Sequence, residues 1–386
     1  MKKVAILVPT SRAFGRGIIK GVTNYARINK DWRLFTILPD YCSISNIHVK
    51  DFIEKWEPDG IIARIPFIDY DCALDLKIPM VVTHIYSPVE NELNIIPDCE
   101  TPSRMAAEYF ISKGFKNFAF CGFHLNWDLS RAHFFRYYLQ CAGFDTEIYQ
   151  TPIEDMHNAW EREQPHLAVW LQKLPKPVAI YTTNDDRARH VLEACHMANL
   201  RVPEEVSVLG SDNDQLVCDI SEPTLSSISY NFERAGYDAA ESLNLLMEGY
   251  KGKLKDIEIS PLKIHTRQST GFIAIDDDEI SDTLKFIKDN ETKNITAQDV
   301  IDNSTLSRRS LEIRFKKATG RTISEHIRKL KLLYVCDLLI NTHLTVLEIS
   351  YKAGFPNAKR LHEVFMKTYK TTPLDYRKTK GKVFVN

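Results

Sequence analysis

Residues 345–369 read TVLEISYKAGFPNAKRLHEVFMKTY, and their spacing sets the architecture expected of the C-terminal third. The segment predicts a short helix, a turn at Gly354-Phe355-Pro356, and a second helix carrying Leu361 and Phe365 on one face. Glycine supplies the left-handed backbone of the turn, and proline presets the first helical turn after it. Residues 296–319, TAQDVIDNSTLSRRSLEIRFKKAT, repeat the plan with a polar turn around Ser304 and Thr305. There the second helix begins at Ser307 and turns Leu311 and Phe315 inward.

In both repeats the buried stripe leaves a charged face outside. In the first it carries Arg308, Arg309, Glu312 and Arg314, and in the second Lys359, Arg360, His362 and Glu363. Between the repeats, Ile323, Ile327, Leu330, Tyr334 and Leu338 recur at helical spacing and predict a linking helix. Two exposed helices joined this way suit successive major grooves about 34 Å apart, where side chains reach base edges and phosphates. A plain helical bundle with solvated charges is the competing reading of each segment taken alone.

Charge supports the first reading. The formal net charge is only −1, but residues 281–386 hold 21 Lys and Arg against 11 Asp and Glu, while the rest hold 29 against 40. A cationic tail suits a polyanion, and an acidic companion does not.

Upstream, short apolar runs alternate with helical patterns. Strands are expected at 4–8, 34–38, 60–63, 80–83, 118–121, 178–182 and 206–210. Helices are expected at 18–26, 49–56, 71–76, 103–112, 131–142 and 186–198. Buried strands alternating with helices predict parallel, doubly wound sheets, and the rhythm occurs twice, predicting two successive α/β lobes with a cleft between them. Ligands of open α/β sheets sit at the carboxyl ends of strands. The acidic run 276–279 stops this rhythm, which places a domain at 1–275, a linker at 276–282 and an all-helical domain at 283–380.

No stretch reaches the roughly 18 apolar residues of a membrane span, and the run at 4–8 is interrupted by Pro9, Arg12 and Arg16 before it resembles a secretion signal. Eight cysteines without a C-x-x-C pair read as free thiols, and no histidine cluster has zinc spacing. A soluble cytoplasmic protein with no metal and no cofactor is expected. Gly15, Gly17 and Gly21 miss the dinucleotide fingerprint by one residue, although Asp40 stands where a ribose-binding acid would. A Rossmann-like enzyme or nucleotide-binding protein is therefore the alternative reading. Against it, no G-x-x-x-x-G-K-[ST], H-E-x-x-H or G-x-S-x-G occurs.

Polar loops follow the expected strands at Ser11 and Arg16, Asp98, Arg131, Asn184 and Asp185, Asp212, and Tyr230. With the aromatic faces of Phe14, Trp127 and Tyr230, carboxylates and an arginine at strand ends match a polyhydroxyl ligand.

Two resemblances agree with this division. Residues 280–379 resemble the AraC-type DNA-binding domain through S-R-x-x-L-x-x-R-F-K-K-x-x-G at 307–320 and K-A-G-F…F-x-K-x-Y-x-x-T-P-x-x-Y-R at 352–377. By position this implies base-facing roles for Arg309, Glu312 and Ile313, and for Lys359, Arg360 and Glu363. Thr305 and Lys370 depart from positions where that family favours glycine, and Ile301 from one where it favours alanine.

Residues 3–271 are similar to LacI/GalR-type sensor domains, which have a periplasmic-binding-protein-like fold, through I-I-P-D-C at 95–99, T-N-D-D-R-A at 183–188, V-P-E-E-V-S-V-L-G-S-D-N at 202–213 and R-Q-S-T at 267–270. That resemblance implies ligand contacts at Ser11, Arg16, Arg131, Asn184 or Asp185, Asp212 and Tyr230. The fusion resembles regulators of xylose utilisation. It implies a homodimeric activator that closes on D-xylose or another pentose, reorients its helix-turn-helix units on a double-stranded operator, and recruits RNA polymerase.

Overall fold

The chain owes its first sheet to strands that are apolar on both faces. In β1 (Lys2–Leu7) and β3 (Gly60–Ile65) nearly every side chain beyond the first is buried, as a sheet covered by helices on both sides requires. The computed structural model describes residues 1–29, 31–36, 49–65, 77–84, 88–123, 126–149, 160–271, 277–290, 293, 295–319, 321–342 and 344–380. The helix expected at 71–76 and Asp40 lie outside these residues, as does the side chain of Trp127. The chain divides into two units, Met1–Ala274 and Ile275–Asn386.

The first unit contains two six-stranded sheets. One runs β2 (Trp32–Thr36), β1, β3, β4 (Met80–His84), β5 (Leu93–Pro97) and β11 (Ile257–Ile259), reading from the β2 edge, and all its pairs are parallel. The other runs β7 (Thr146–Ile148), β6 (Asn117–Cys121), β8 (Val178–Thr182), β9 (Val206–Asp212), β10 (Ser226–Tyr230) and β12 (Pro261–His265). Only β12 is antiparallel among its pairs, with a bulge at Ser229/Tyr230.

The lobes are not successive in sequence, contrary to the expectation. The chain crosses between sheets after β5, after β10 and between β11 and β12, so late residues complete the first lobe. Helix α1 (Ala13–Asn29) packs against α8 (Phe232–Met247), and their glycines allow the approach. A Cβ at Gly21 would stand 2.0 Å from the Glu233 carbonyl oxygen, one at Gly236 2.3 Å from that of Ile18, and one at Gly17 2.4 Å from Phe232 Cβ. Gly17 and Gly21 are thus explained by helix packing, and Gly15 by the Pro9 carbonyl oxygen, which would stand 1.7 Å from a Cβ there.

The remaining helices of this unit are α2 (Val49–Trp56), α3 (Glu100–Ser112), α4 (Asn126–Cys141), α5 (Trp160–Lys173), α6 (Asp185–Met197) and α7 (Gln215–Ile220). Arg187, fully buried on α6, forks onto Glu163 of α5 at 2.6 and 2.7 Å and lies against the rings of Phe123 and Tyr149. Removing either partner would strand a buried charge, so the pair fixes the two helices together.

The second unit is helical throughout its described residues: α9 (Asp278–Asp289), α10 (Ala297–Asp302), α11 (Arg308–Thr319), α12 (Ile323–Asn341), α13 (Val346–Lys352), α14 (Ala358–Tyr369) and α15 (Pro373–Lys380). Part of the stretch expected as a linker belongs to it. Helix α9 starts at Asp278, Ile280 is fully buried, and Asp277 accepts from Arg314 Nε at 2.6 Å. Thr296, Thr322 and Thr345 start helices with capping boxes closed by Asp299, Glu325 and Glu348. The linking helix α12 serves two small cores: Ile323 and Ile327 join Leu311 and Phe315, while Val335 and Leu339 join Ile349, Leu361 and Phe365.

Candidate functional site

In the first unit the segments that follow β1, β8 and β9, loops and first helical turns together, meet across the two lobes. Arg12 donates to Asp186 at 2.6 Å, and Arg16 to Asp214 at 2.7 Å, while the Ala13 amide donates to the same Asp214 oxygen at 2.8 Å. Asp214 also caps α7, accepting from the Leu216 amide at 3.2 Å.

Between these loops lies a polar and aromatic cluster. Arg131 of α4 is buried, donates to the Thr183 carbonyl, and stands 5.4 Å from the centre of the Tyr230 ring. Tyr230 stacks on Phe232 at 5.5 Å, and Phe232 meets Phe14 edge-on at 5.6 Å. Over Phe14, at 5.1 Å, sits Arg64, the penultimate residue of β3. Burial alone would lower the pKa of Arg131, but Tyr230, Tyr181, Cys99 and Asp212 outweigh it and hold the guanidinium charged.

Asp212 is the carboxylate of this cluster. Burial pushes its pKa up to about 7 against the pull of Arg131 and Arg64, with Asp186 and Asp214 adding to the push. Its backbone is left-handed, with φ 101°, a strained setting for a non-glycine residue. The loop is pinned into it: Asn213 N donates to Ser227 at 3.0 Å, Arg267 to the Asn213 side chain at 2.9 Å, and Asp214 N to Asp185 at 2.7 Å. That bracing fixes the backbone on which the Asp212 carboxylate stands.

The site residues expected from sequence therefore separate. Arg131, Asp212 and Tyr230 come together, and Arg16 stands at the rim. Ser11 is exposed, with its carbonyl accepting from Arg12. Asp98 accepts from the amides of Glu100 and Thr101 at the start of α3, and Asn184 caps α6. Asp185 is turned into the lobe, where it holds Ser227 at 2.5 Å as well as the Asp214 amide, and burial followed by the charge of Asp212 raises its pKa well above the usual carboxylate range. Sequence reasoning missed Arg64, Tyr181 and Phe232. The one signal for Arg64 is a charge near the end of an otherwise apolar strand, GIIARI.

In the second unit Arg308, Arg309, Glu312 and Ile313 are exposed on α11, as are Lys359, Arg360 and Glu363 on α14. Arg308 pairs with Glu312 at 3.2 Å and Arg360 with Glu363 at 3.1 Å, each within its own helix. Arg314, expected on the outer face, instead folds back onto Asp277. The turn before α14 is left-handed at Gly354, with φ 67°. Asn357 caps the helix, so Pro356 stands one residue ahead of the cap and not in the first helical turn. Thr305, where glycine was expected by resemblance, needs no left-handed backbone and donates its hydroxyl to Glu279. Lys370 does adopt the left-handed conformation, with φ 57°, at the end of α14.

Among the described residues no helix is long and apolar enough to cross a membrane, and no cluster of His, Cys, Asp and Glu could hold a metal ion.

Comparison with known proteins agrees with both halves. A periplasmic binding protein-like domain family matches residues 107–270, and a helix-turn-helix domain family matches residues 302–379. The xylose operon regulatory protein of Escherichia coli K12 is 31% identical over 99% of this chain and 98% of its own length. That of Haemophilus influenzae is 29% identical over 97% and 98%. Among solved structures, the xylose-binding transcription activator xylR superposes with a TM-score of 0.75 at 28% identity, covering 99% of each chain. A LacI-type regulator from Alkaliphilus metalliredigens, complexed with D-xylulofuranose, shares the fold of the first unit, with a TM-score of 0.54 at 20% identity over 70% of this chain and 99% of its own.

Proposed function

Because this chain belongs to the family of the xylose operon regulatory proteins, we propose that the cleft holding Asp212, Arg131 and Tyr230 is its effector site and that occupancy there governs DNA binding by α11 and α14. The protein is a sugar-responsive, DNA-binding transcription regulator and not an enzyme. The observation that carries the assignment is Asp212, whose loop is held in a strained backbone by Ser227, Arg267 and Asp185 and whose carboxyl feels the charge of Arg131, itself set against Tyr230. A carboxylate and a guanidinium side by side accept from and donate to neighbouring hydroxyls, and rings flank the carbon skeleton.

A pentose, with D-xylose first, is the effector suggested by the relatives. Closed lobes bind it better than open ones, so the sugar shifts the population toward the closed form. Arg16–Asp214 and Arg12–Asp186 are the contacts that closure makes between lobes. Sensing belongs to residues 1–275 and DNA binding to 283–380, with Arg308, Arg309, Glu312, Ile313, Lys359, Arg360 and Glu363 facing the duplex. The working form is a cytoplasmic homodimer that activates transcription through RNA polymerase.

The test is thermal unfolding with D-xylose, L-arabinose, D-ribose, NAD and ATP. A sugar at a hundred times its Kd stabilises the fold by about 2.7 kcal/mol, several degrees in Tm. A shift with NAD or ATP and none with any sugar would restore the nucleotide-binding alternative.

A further inference from the structure

The described part of the first unit ends in a strap, residues 266–271, built around the short 3-10 turn Gln268–Thr270, and the second unit begins at Ile275. Two of its side chains tie it to the sheet that carries Asp212. Buried Ser269 donates to the Val208 carbonyl of β9 at 2.6 Å and accepts from the Ser226 amide of β10 at 2.9 Å, while Thr270 donates to the Ser226 hydroxyl at 2.7 Å. On its other side Lys113, which ends α3, donates to the Thr270 carbonyl at 2.7 Å.

Arg267 does something different. Among the described residues it is the one member of the strap that hydrogen-bonds to the loop after β9. One end of its guanidinium donates to the Leu225 carbonyl at 2.8 Å and the other to the Asn213 side-chain oxygen at 2.9 Å. Asn213 follows Asp212 directly, and both backbones are left-handed, with φ 49° and 101°. Two successive non-glycine residues in that region form a strained turn, which persists only while its contacts hold it, so a change of partners at Asp212 is felt at Asn213. Adjacency becomes coupling where an element has two states that both ligands bias, and this turn is such an element.

We propose that Arg267 is a positioning residue for regulation: through Asn213 it passes the state of the Asp212 cleft to the strap from which the chain continues into the second unit. This rests on the effector-site reading above and adds the route by which occupancy is transmitted. A planar guanidinium suits the task because its fork fixes two acceptors at once, Leu225 at the start of β10 and Asn213 in the loop. Sugar held by Asp212 fixes Asn213, and Asn213 fixes the fork. Without the fork the strap no longer differs between the two states, and neither ligand can then alter the affinity for the other.

Arg267→Met and Asn213→Gly cut the contact from its two ends. Glycine keeps the left-handed backbone of Asn213 and the amide that donates to Ser227. Gln268→Ala is the comparator, since it removes only the side-chain acceptor of the Thr224 amide, at 3.0 Å, and leaves the loop alone. The Kd of the full chain for a DNA site selected from a random pool is measured by fluorescence anisotropy without sugar and with a saturating pentose, whichever of D-xylose, L-arabinose and D-ribose most raises the Tm. In wild type and Gln268→Ala the pentose should shift this Kd by about tenfold, and in Arg267→Met and Asn213→Gly by about twofold or less, with the Kd without sugar unchanged in all four. Saturation removes any loss of sugar affinity from the comparison, so an anchor that is merely structural would lower the Tm and leave the shift intact. If Arg267→Met fails to fold, Asn213→Gly decides alone. A full shift in a folded variant that lacks the contact overturns the proposal. So does loss of the shift in Gln268→Ala, which marks general loosening of the strap. Both outcomes leave the cleft reading standing. A wild type that binds no pentose, or binds one without any shift on DNA, removes the proposal together with the reading it rests on.

Discussion

Replacing Arg16 by methionine tests the interlobe clamp quantitatively. Arg16 donates to Asp214 at 2.7 Å; Asp214 is 2% exposed and Arg16 40% exposed. A hydrogen bond to a charged group contributes about 1.5–3 kcal/mol, and the exposed arginine end brings the expected loss to about 1–2 kcal/mol. Asp214 keeps its amide partners, Ala13 at 2.8 Å and Leu216 at 3.2 Å, so α7 stays capped. Asp214→Asn should cost about 2 kcal/mol, because one oxygen that accepts twice becomes a donor. The double variant should lose less than the sum of the singles, with a coupling of about 1 kcal/mol.

Urea unfolding gives the stabilities, and calorimetric titration gives sugar affinity. Since the pair joins the first turn of α1 to the loop after β9, on different lobes, Arg16→Met should weaken sugar binding about 5- to 30-fold, the equivalent of about 1–2 kcal/mol. A coupling below about 0.3 kcal/mol together with wild-type sugar affinity would refute the clamp, because additivity within that margin marks independent sites.

The carboxyl of Asp212, raised to about 7, is about one-tenth ionised at pH 6 and about nine-tenths at pH 8, so sugar binding through the carboxylate should strengthen up to about tenfold across that interval. A raised folded-state pKa means the folded chain holds this proton more tightly than the unfolded one, so the same group should erode stability as pH climbs from about 4 to about 7. Titrations at both pH values and unfolding across the lower range check the two signs. Lys370→Gly should stabilise the helix-turn-helix unit by roughly 0.5–1 kcal/mol in thermal unfolding, because glycine adopts the left-handed backbone without strain. Arg309→Ala and Arg360→Ala should each cost about 1–3 kcal/mol of affinity for a DNA site selected from a random pool, and less for scrambled DNA, by fluorescence anisotropy.

How much of this was legible depended on whether neighbours in sequence or distant partners made the decision. The helix-turn-helix repeats were readable because Leu311, Phe315, Leu361 and Phe365 recur at helical spacing and Gly354 marks a turn that needs positive φ. Continuous apolar runs such as 178–182 announced parallel strands for the same local reason. By contrast, β7 and β11 have three residues each, too few to carry a period, and β11 joins the first lobe through pairing with β5, far away in sequence.

The lobe to which α8 belongs is set by Gly21 meeting Glu233 and Gly236 meeting Ile18, contacts that join residues far apart in sequence. In the cleft, strand ends locate loops but do not give the direction of each side chain. Asn184 and Asp185 stand side by side in one polar turn, yet one caps a helix and the other braces the loop that carries Asp212. Arg64 hid near the end of an apolar strand, and its place over Phe14 joins residues far apart in sequence.

The central claim is that the cleft of the first unit and the exposed helices of the second are energetically coupled. The most direct measurement is the Kd of the full chain for its selected DNA site, with and without saturating amounts of the sugar that most raises its Tm, for wild type and Asp212→Ala. Coupling between sites of this kind is typically 5- to 150-fold, so sugar should shift the wild-type Kd by about tenfold and leave that of Asp212→Ala where it was. Identical wild-type constants in the two conditions, or an Asp212→Ala protein that responds in full, would contradict the account.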